Sequence, residues 1–270
     1  MRAYSPESLD DNFRKSHSEI LSIKRGNGLW LWKPYVILDA LEHVSEGDYV
    51  FYCDSGAFFF SNVMPLIDSM GESDIWVSDI PYIEEQWTKP EVFTRLEITD
   101  PAIKSSQQIQ GSFVIARKSE MSCEFIREWL RLCTQPELIK PLELGEYHGE
   151  CIEHREDQSL LSVLCKIRGI KSHRNPAVLP LGIKRRIKTK IKKLLGIPIK
   201  WQEARYVKLI HESDKYSPCI YHHRIRRADS ILSVFLQVIR GTRLRVIAAL
   251  IRMAFTKTPP KIIKRKRHVI

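Results

Sequence analysis

Apolar residues along the chain follow two spacings that predict strands and helices in alternation. Residues 49–53 form an unbroken apolar run, which is typical of a strand buried on both faces. Shorter apolar runs at 75–78 and 113–116 predict two further strands. Helical spacing is found at 7–24, 34–44, 123–133 and 158–167. This alternation predicts an α/β fold with a mainly parallel sheet flanked by helices.

The pattern changes after Pro176, where basic residues alternate with aliphatic ones at helical spacing. Such a stretch occurs near 181–196 and another at 229–255, and the chain ends in a cationic run. We therefore expect one domain over 1–227, with a basic helical insertion near 181–196. Residues 228–270 are expected to form a basic amphipathic C-terminal tail.

Charge is distributed unevenly over the 270 residues, whose net charge is +11. Acidic residues are missing between Gln158 and Gln202 and again from Ser230 onward, so the cationic surface is C-terminal. An anionic membrane surface is the partner that this pattern favours, because the basic residues are interleaved with aliphatic side chains. Nucleic-acid binding would call for interleaved aromatic residues, and it is not expected.

Three further features of the sequence bear on localisation. The N-terminus lacks an apolar signal segment, no apolar run reaches eighteen residues, and six cysteines occur without a CxxC pair. These observations predict reduced thiols and a cytoplasmic protein that is peripheral on the inner face of the cell membrane.

Asp54 is the first candidate for chemistry, because it follows the apolar run at 49–53 directly. Ligands bind at the carboxyl ends of strands in open α/β sheets. A carboxylate followed by Ser55 and Gly56 leaves room for Mg²⁺ or Mn²⁺, which prefer oxygen ligands. The alternative is an ordinary aspartate in the turn after a strand.

The segment at 26–34 reads GNGLWLWKP and places Lys33 at the start of a helix. A cation beside a helix N-terminus favours phosphate. The alternative is that Trp30 and Trp32 anchor the core while Lys33 is solvated.

Two histidines, His222 and His223, stand beside Arg224 far along the chain. Imidazoles next to guanidinium groups suit a metal ligand combined with phosphate clamps. A basic loop explains the same residues equally simply.

Together these segments resemble bacterial GT-A-type glycosyltransferases over roughly residues 4–227. The most specific match is the GxWLWKP block, which is followed by a strand ending in Asp-x-Gly. The matching segments lie at 28–34, 54–56, 85–89, 110–113, 157–159 and 222–226.

The resemblance implies a nucleotide-diphospho-sugar donor, a divalent cation (Mn²⁺ or Mg²⁺), and transfer to a glycan or lipid-linked acceptor in cell-surface polysaccharide or lipopolysaccharide synthesis. It implies Asp54 and Asp157 as catalytic residues. Asp157 and Asp79 are the candidates for the base that accepts the acceptor proton; Asp157 is preferred, because an ordinary loop residue explains Asp79 equally well. The implied donor-binding residues are Trp32, Lys33, Ser55, Gly56, Lys89, Gln110, Gly111 and Arg224. The implied metal ligands are Asp54, His222 and His223.

Two departures from the family pattern keep alternatives open. Gly56 stands where the second acid of Asp-x-Asp is found, and no strand is evident before Tyr4, so the first strand of a GT-A domain is expected to be missing. A catalytically inactive GT-A-like scaffold is therefore the first alternative function, and a basic nucleic-acid-binding protein is the second.

Overall fold

The computed structural model describes residues 2–143, 146–178 and 204–222. The expected insertion near 181–196 and the tail at 228–270 lie outside these described residues.

The central sheet has four strands in the order β1-β4-β3-β5. They are β1 (Tyr49–Cys53), β3 (Ile75–Ile83), β4 (Gln107–Arg117) and β5 (Ser172–His173). β4 runs antiparallel to β1 and to β3, while β3 pairs with β5 in parallel. The expectation of a mainly parallel sheet is therefore wrong, although the α/β fold is confirmed. Apolar runs report burial on both faces, and such burial does not depend on the direction of the neighbouring strand.

A smaller sheet of three strands has the order β2-β7-β6. Its strands are β2 (Ala57–Phe59), β6 (Ala177–Val178) and β7 (Ile220–His222). β2 and β7 are antiparallel, and β6 and β7 are parallel. This sheet brings the end of the described chain beside the residues that follow β1.

The helices of the described residues are short except for three. They are α1 (Asp11–Ser16), α2 (Ser18–Leu21), α3 (Gly26–Leu29), α4 (Trp32–Glu42), α5 (Met64–Ser69), α6 (Glu84–Trp87), α7 (Pro90–Arg95), α8 (Pro101–Ser105), α9 (Glu120–Cys133), α10 (Pro136–Ile139) and α11 (Glu156–Ile167). None of the helices in the described ranges is long and apolar enough to cross a membrane.

The expected single helix at 7–24 is broken into a 3-10 turn at Pro6–Ser8 followed by α1 and α2. Asp10 starts α1 because its side chain accepts the backbone N–H groups of Asn12 and Phe13. His17 then leaves the helical region, with φ −117°. Apolar spacing alone does not reveal these two interruptions.

The core has two parts, one on each face of the central sheet. On one face α4, α9 and α11 pack against side chains such as Val50, Val77 and Val114. On the other face Trp76 and Phe113 pack with residues of α5 and β7. The central sheet is therefore covered on both sides, as the unbroken run of β1 predicted.

Candidate functional site

Asp54 lies immediately beyond β1, at the sheet edge where the carboxyl ends of β1 and β3 meet. Its backbone N–H donates to the carbonyl oxygen of Ser112 (3.1 Å), and its Oδ1 accepts the hydroxyl of Tyr52 (2.8 Å). The side chain is 29% exposed. One oxygen of the carboxylate is thus held by the protein while the group still reaches solvent.

A tight turn follows Asp54 and leads directly into β2. The backbone N–H of Ala57 donates to the carbonyl oxygen of Asp54 at 3.1 Å, so the expected donor-binding residues Ser55 and Gly56 form the middle of the turn. Ser55 is exposed. Both residues therefore form the turn that directly follows Asp54, and their role toward a donor stays a prediction.

Lys33 is buried, contrary to the alternative that it is solvated. It is the second residue of α4, and its Nζ lies 3.0 Å from Asp157 Oδ2 and 3.7 Å from Asp54 Oδ1. The ammonium also donates to the carbonyl oxygen of Gly111 at 3.2 Å. A buried ammonium loses its hydration, so these three oxygens compensate for that loss. The lysine thus joins three segments that are far apart in the sequence.

Asp157 is the second residue of α11, where the helix dipole favours a negative charge. Its side chain is 3% exposed, and its backbone carbonyl oxygen accepts the indole N–H of Trp129 at 3.0 Å. Burial raises the pKa of Asp157 to about 7, even though Lys33 acts in the opposite direction. Asp157 therefore changes charge near neutral pH.

The pKa of Lys33 is raised as well, because attraction to Asp157 and Asp54 outweighs the burial of the ammonium. The pKa values of Lys33 and Asp157 are thus both raised, but for different reasons. Lys33 has two carboxylates close to it, whereas Asp157 shares this one ammonium with Asp54 and lies next to Glu156. The lysine therefore stays charged while Asp157 accepts a proton more readily than an ordinary aspartate.

A large irregularity in β4 brings Gly111 to this cluster. Val77 pairs with Val114 and Asp79 pairs with Ile109, so two steps along β3 correspond to five steps along β4. The surplus residues form a bulge, a feature that re-aims the backbone next to active sites. Here it directs the carbonyl oxygen of Gly111 at Lys33.

Gly111 has little room for a side chain. A Cβ atom added there would lie 3.2 Å from Asp157 Oδ2 and 3.4 Å from Lys33 Nζ. Its backbone N–H donates to Gln158 Oε1 at 3.2 Å. The backbone of β4 therefore passes directly along the cluster of Lys33, Asp54 and Asp157.

The short element α3 is a left-handed turn and not a regular α-helix, because its four residues and the following Trp30 all have positive φ angles. Its hydrogen bonds run from the N–H of Leu29 to the carbonyl oxygen of Arg25 (2.9 Å) and from the N–H of Trp30 to that of Gly26 (3.2 Å). The φ angles are 61° at Gly26, 49° at Asn27, 93° at Gly28, 55° at Leu29 and 60° at Trp30. This left-handed turn costs about 1–2 kcal/mol at each residue with a bulky side chain. Strain of this kind is found at functional sites.

The two tryptophans of this segment have different surroundings. Trp32, an expected donor-binding residue, donates its indole N–H to the carbonyl oxygen of Gly26 at 2.9 Å and so ties the turn together. The ring of Trp30 lies beside the cluster, with its centroid 5.9 Å from Lys33 Nζ and 5.8 Å from Arg25 Cζ. Both rings are half-buried.

Two other expected donor-binding residues have their side chains engaged within the protein. Lys89 Nζ donates to the carbonyl oxygen of Lys140 at 2.6 Å. Gln110 donates to the hydroxyl of Ser78 (2.6 Å) and accepts the side-chain amide of Asn175 (3.3 Å). Their role toward a donor stays a prediction.

His222 is brought close to the site by the smaller sheet. In β7 it pairs with Ala57, three residues after Asp54, and its ring packs edge-on against Phe113, which pairs with Cys53. The side chain is buried. His223 and Arg224 lie outside the described residues, so their expected roles stay predictions.

A second polar cluster fastens the segment that leads to β7. Asp79 lies within β3, not in a loop, and it pairs with His211 Nε2 at 2.8 Å. Asp214 accepts His173 Nδ1 at 2.9 Å. Burial alone would raise the pKa of Asp214, but the hydrogen bond from His173 and one from a backbone N–H lower it. These contacts hold the chain that positions His222.

The side chains around Asp54 offer few ligands for a divalent cation. Among the described residues, no group of three or more histidine, cysteine, aspartate or glutamate side chains is arranged to hold a metal ion. Gly56 supplies no carboxylate, and Asp54 Oδ1 already accepts Tyr52 and faces Lys33. The described residues alone therefore do not form a cation site.

Several residues at the site were not singled out by the sequence pattern. Tyr52 stands two residues before Asp54, and strand periodicity places both side chains on one face. The contact between them could therefore have been predicted from the sequence. Arg25 pairs with Glu156 (2.6 Å) and Glu153 (3.2 Å), and no local pattern indicates these distant pairs. Trp30 was indicated only as a core anchor.

A cavity of about 460 Å³ lies away from this cluster. It is lined by Gln86, Gly149, Glu150, Cys151, Ile152 and Arg205. None of these residues belongs to the group around Lys33, so the chemistry of the site is not assigned to this cavity.

Comparisons with known proteins establish no family for the chain. No family model matches it, and no curated protein matches it. Among solved structures it is similar to mouse xyloside xylosyltransferase 1 in its apo form, with a TM-score of 0.38 and 8% sequence identity. The match covers 78% of this chain and 72% of the mouse chain. At this TM-score the likeness supports no statement about fold or activity.

Proposed function

We propose that this protein is a GT-A-like glycosyltransferase that moves a sugar from a nucleotide-diphospho-sugar to a hydroxyl group of a glycan or lipid-linked acceptor. The proposal includes a place in cell-surface polysaccharide or lipopolysaccharide synthesis. It rests on the sequence resemblance and on the cluster at the strand edge.

One observation carries the proposal: Lys33 is buried between Asp54 and Asp157, beside the bulge at Gly111. All four residues were expected at the donor or catalytic site from separate segments of the sequence. A buried ion cluster at the carboxyl edge of a sheet is costly for stability, and perturbed pKa values of this kind are concentrated at functional sites.

The chemistry that these residues suit is displacement at a sugar carbon. The acceptor oxygen bonds to the anomeric carbon while the bond from that carbon to the diphosphate oxygen breaks, and the electron pair leaves with the diphosphate. The proton of the acceptor hydroxyl passes to a carboxylate. The raised pKa of Asp157 suits a group that accepts this proton, and Asp54 is the more exposed of the two aspartates.

The charge on Lys33 couples proton transfer to Asp157 with departure of the diphosphate. When Asp157 takes up a proton it becomes neutral, so the ammonium is shared with fewer anions. The positive charge of Lys33 then counters the negative charge that develops on the departing diphosphate. Asp54 would meanwhile orient a sugar hydroxyl through its solvent-facing side.

The direct test is turnover with a panel of UDP-, GDP- and dTDP-sugars, measured as release of the nucleoside diphosphate with and without acceptor glycans. Parallel reactions with Mn²⁺, Mg²⁺ or a chelator test the expected cation. Turnover supports the proposal. Binding of a nucleotide-sugar without turnover identifies the inactive scaffold. Binding of nucleic acid but of no nucleotide-sugar overturns the proposal.

The pH dependence of transfer should report Asp157. A base must be ionised to accept a proton, so kcat/KM is expected to rise between pH 6 and 8 with a midpoint near the Asp157 pKa of about 7. In Asp157→Asn the residual activity should lack this step. A wild-type profile that is flat across this range would contradict the role of Asp157.

Stability provides an independent readout of the same group. The folded pKa of Asp157 lies above the unfolded value of 3.8, so its protonated form stabilises the fold. This contribution is fully present below pH 3.8 and is lost as the pH rises through about 7. The Tm of wild type relative to Asp157→Asn should therefore fall from pH 5 to pH 8.

Membrane attachment is the second part of the proposal and concerns residues outside the described ranges. Basic residues in 229–255 and 261–268 each add about 1 kcal/mol near an anionic surface. We expect flotation with anionic liposomes that weakens at high salt and disappears when 229–270 is deleted. Equal binding to neutral and anionic liposomes would contradict an electrostatic anchor.

A further inference from the structure

The ring of Trp30 lies next to Lys33 and is not fully buried in the core. It is half-buried, and its centroid lies 5.9 Å from Lys33 Nζ. Asp54, which contacts the same ammonium, is also partly exposed. Trp30 and Asp54 are therefore two partly exposed groups that share one buried neighbour.

The position of this ring is fixed by the left-handed turn. A Cβ atom at Gly26 would lie 2.4 Å from the Trp30 ring, so the ring packs directly on the glycine. The indole N–H of Trp32 donates to the carbonyl oxygen of the same Gly26 at 2.9 Å. The aromatic face is thus pre-organised before any ligand arrives, which reduces the entropy lost on binding.

Charges around Trp30 select the kind of ligand. The cations Arg25 and Lys33 are each already paired with two carboxylates. These carboxylates are Glu153, Glu156, Asp54 and Asp157. Lys33 is the cation proposed to counter the departing diphosphate, whereas Arg25 is outnumbered by its two glutamates and offers no net positive charge to a second anion. A neutral ring with many hydroxyl groups suits the place, since carboxylates accept hydroxyl donors.

We propose that Trp30 is the platform of a sugar subsite, on which one face of a neutral sugar ring stacks while its hydroxyls turn toward the neighbouring carboxylates. The negative face of the indole attracts the weakly positive C–H bonds of a sugar ring. This inference rests on the proposed function, and the ring belongs to the sugar of the donor or to that of the acceptor.

The test compares Trp30→Phe with Trp30→Leu, which both retain an apolar side chain but differ in the aromatic face. Trp30→Phe is expected to keep KM within about threefold of wild type, and Trp30→Leu to raise it by about tenfold, which corresponds to about 1.4 kcal/mol of lost stacking. Equal Tm values for the two variants exclude a difference in folding.

Two readouts identify the source of the sugar. A raised KM in donor hydrolysis, with water as acceptor, assigns the ring to the donor. A raised acceptor KM with unchanged hydrolysis assigns it to the acceptor. Identical KM values for Trp30→Phe and Trp30→Leu in both reactions, at equal Tm, would overturn the inference.

A third measurement separates this inference from the proposed function. Calorimetric titration with free mono- and oligosaccharides needs no turnover. Binding that Trp30→Leu weakens and Trp30→Phe preserves supports the platform even where wild type turns over no nucleotide-sugar. A wild-type protein that binds neither nucleotide-sugars nor free saccharides would refute the platform together with the proposed function.

Discussion

Asp54→Asn is expected to lower glycosyl transfer by roughly 10³-fold while the protein stays folded. The asparagine keeps the shape of the side chain, and its oxygen can still accept the hydroxyl of Tyr52. What disappears is the charge at the strand edge, which faces both Lys33 and the solvent. The measurements are kcat and KM for nucleotide-sugar turnover, together with Tm.

Asp68→Asn is the matched control, because it removes the same charge from an exposed position on α5. It should leave turnover and Tm near wild type. If a folded Asp54→Asn protein transfers sugar as well as Asp68→Asn does, Asp54 has no part in the reaction.

Lys33→Met is expected to reduce both stability and activity. The methionine fills a similar volume, but Asp157 and Asp54 then face each other without a cation. Breaking a buried ion pair costs about 3 kcal/mol, which lowers Tm by roughly 6–12 °C for a domain of this size. Under the proposed function Lys33 counters the charge of the departing diphosphate, so its loss should lower kcat by roughly 10²-fold or more.

Two further variants separate the structural effect of Lys33 from the catalytic one. Lys24→Met removes an exposed charge from the same stretch of chain and should change neither Tm nor kcat. Lys33→Met combined with Asp157→Asn removes the unpaired buried carboxylate, so part of the stability should return while activity stays low. Full recovery of transfer by this double variant would exclude Lys33 and Asp157 from the chemistry.

The apolar pattern predicted the positions of three strands, but not all of their bounds or their pairing direction. β1 was predicted with its observed bounds because every residue in it is apolar. β3 and β4 are longer than predicted, since buried polar residues such as Asp79, Gln108 and Gln110 continue the strands toward the site. Pairing direction was predicted wrongly, because it depends on which strand lies between β1 and β3.

The sequence predicted which residues belong to the site, but not how they contact one another. Asp54 and Lys33 were named from local sequence, whereas Gly111 and Asp157 were named only through the resemblance, and the structure brings all four together. The burial of Lys33 was not predictable, because it depends on partners that are distant in the chain. Glycine at 26 and 28 indicated a break in the helix, but nothing indicated that Leu29 and Trp30 would also take the left-handed conformation.

The wide separation of these partners along the chain affects the order in which the molecule can assemble. Lys33 emerges early during synthesis, whereas Asp157 emerges only after the central sheet is nearly complete. Until then the ammonium of Lys33 is expected to stay hydrated, because Asp54 alone compensates poorly for the lost hydration. A fragment that ends before α11 should therefore leave the segment around Lys33 accessible to protease. The complete site marks a chain that has finished folding through residue 157.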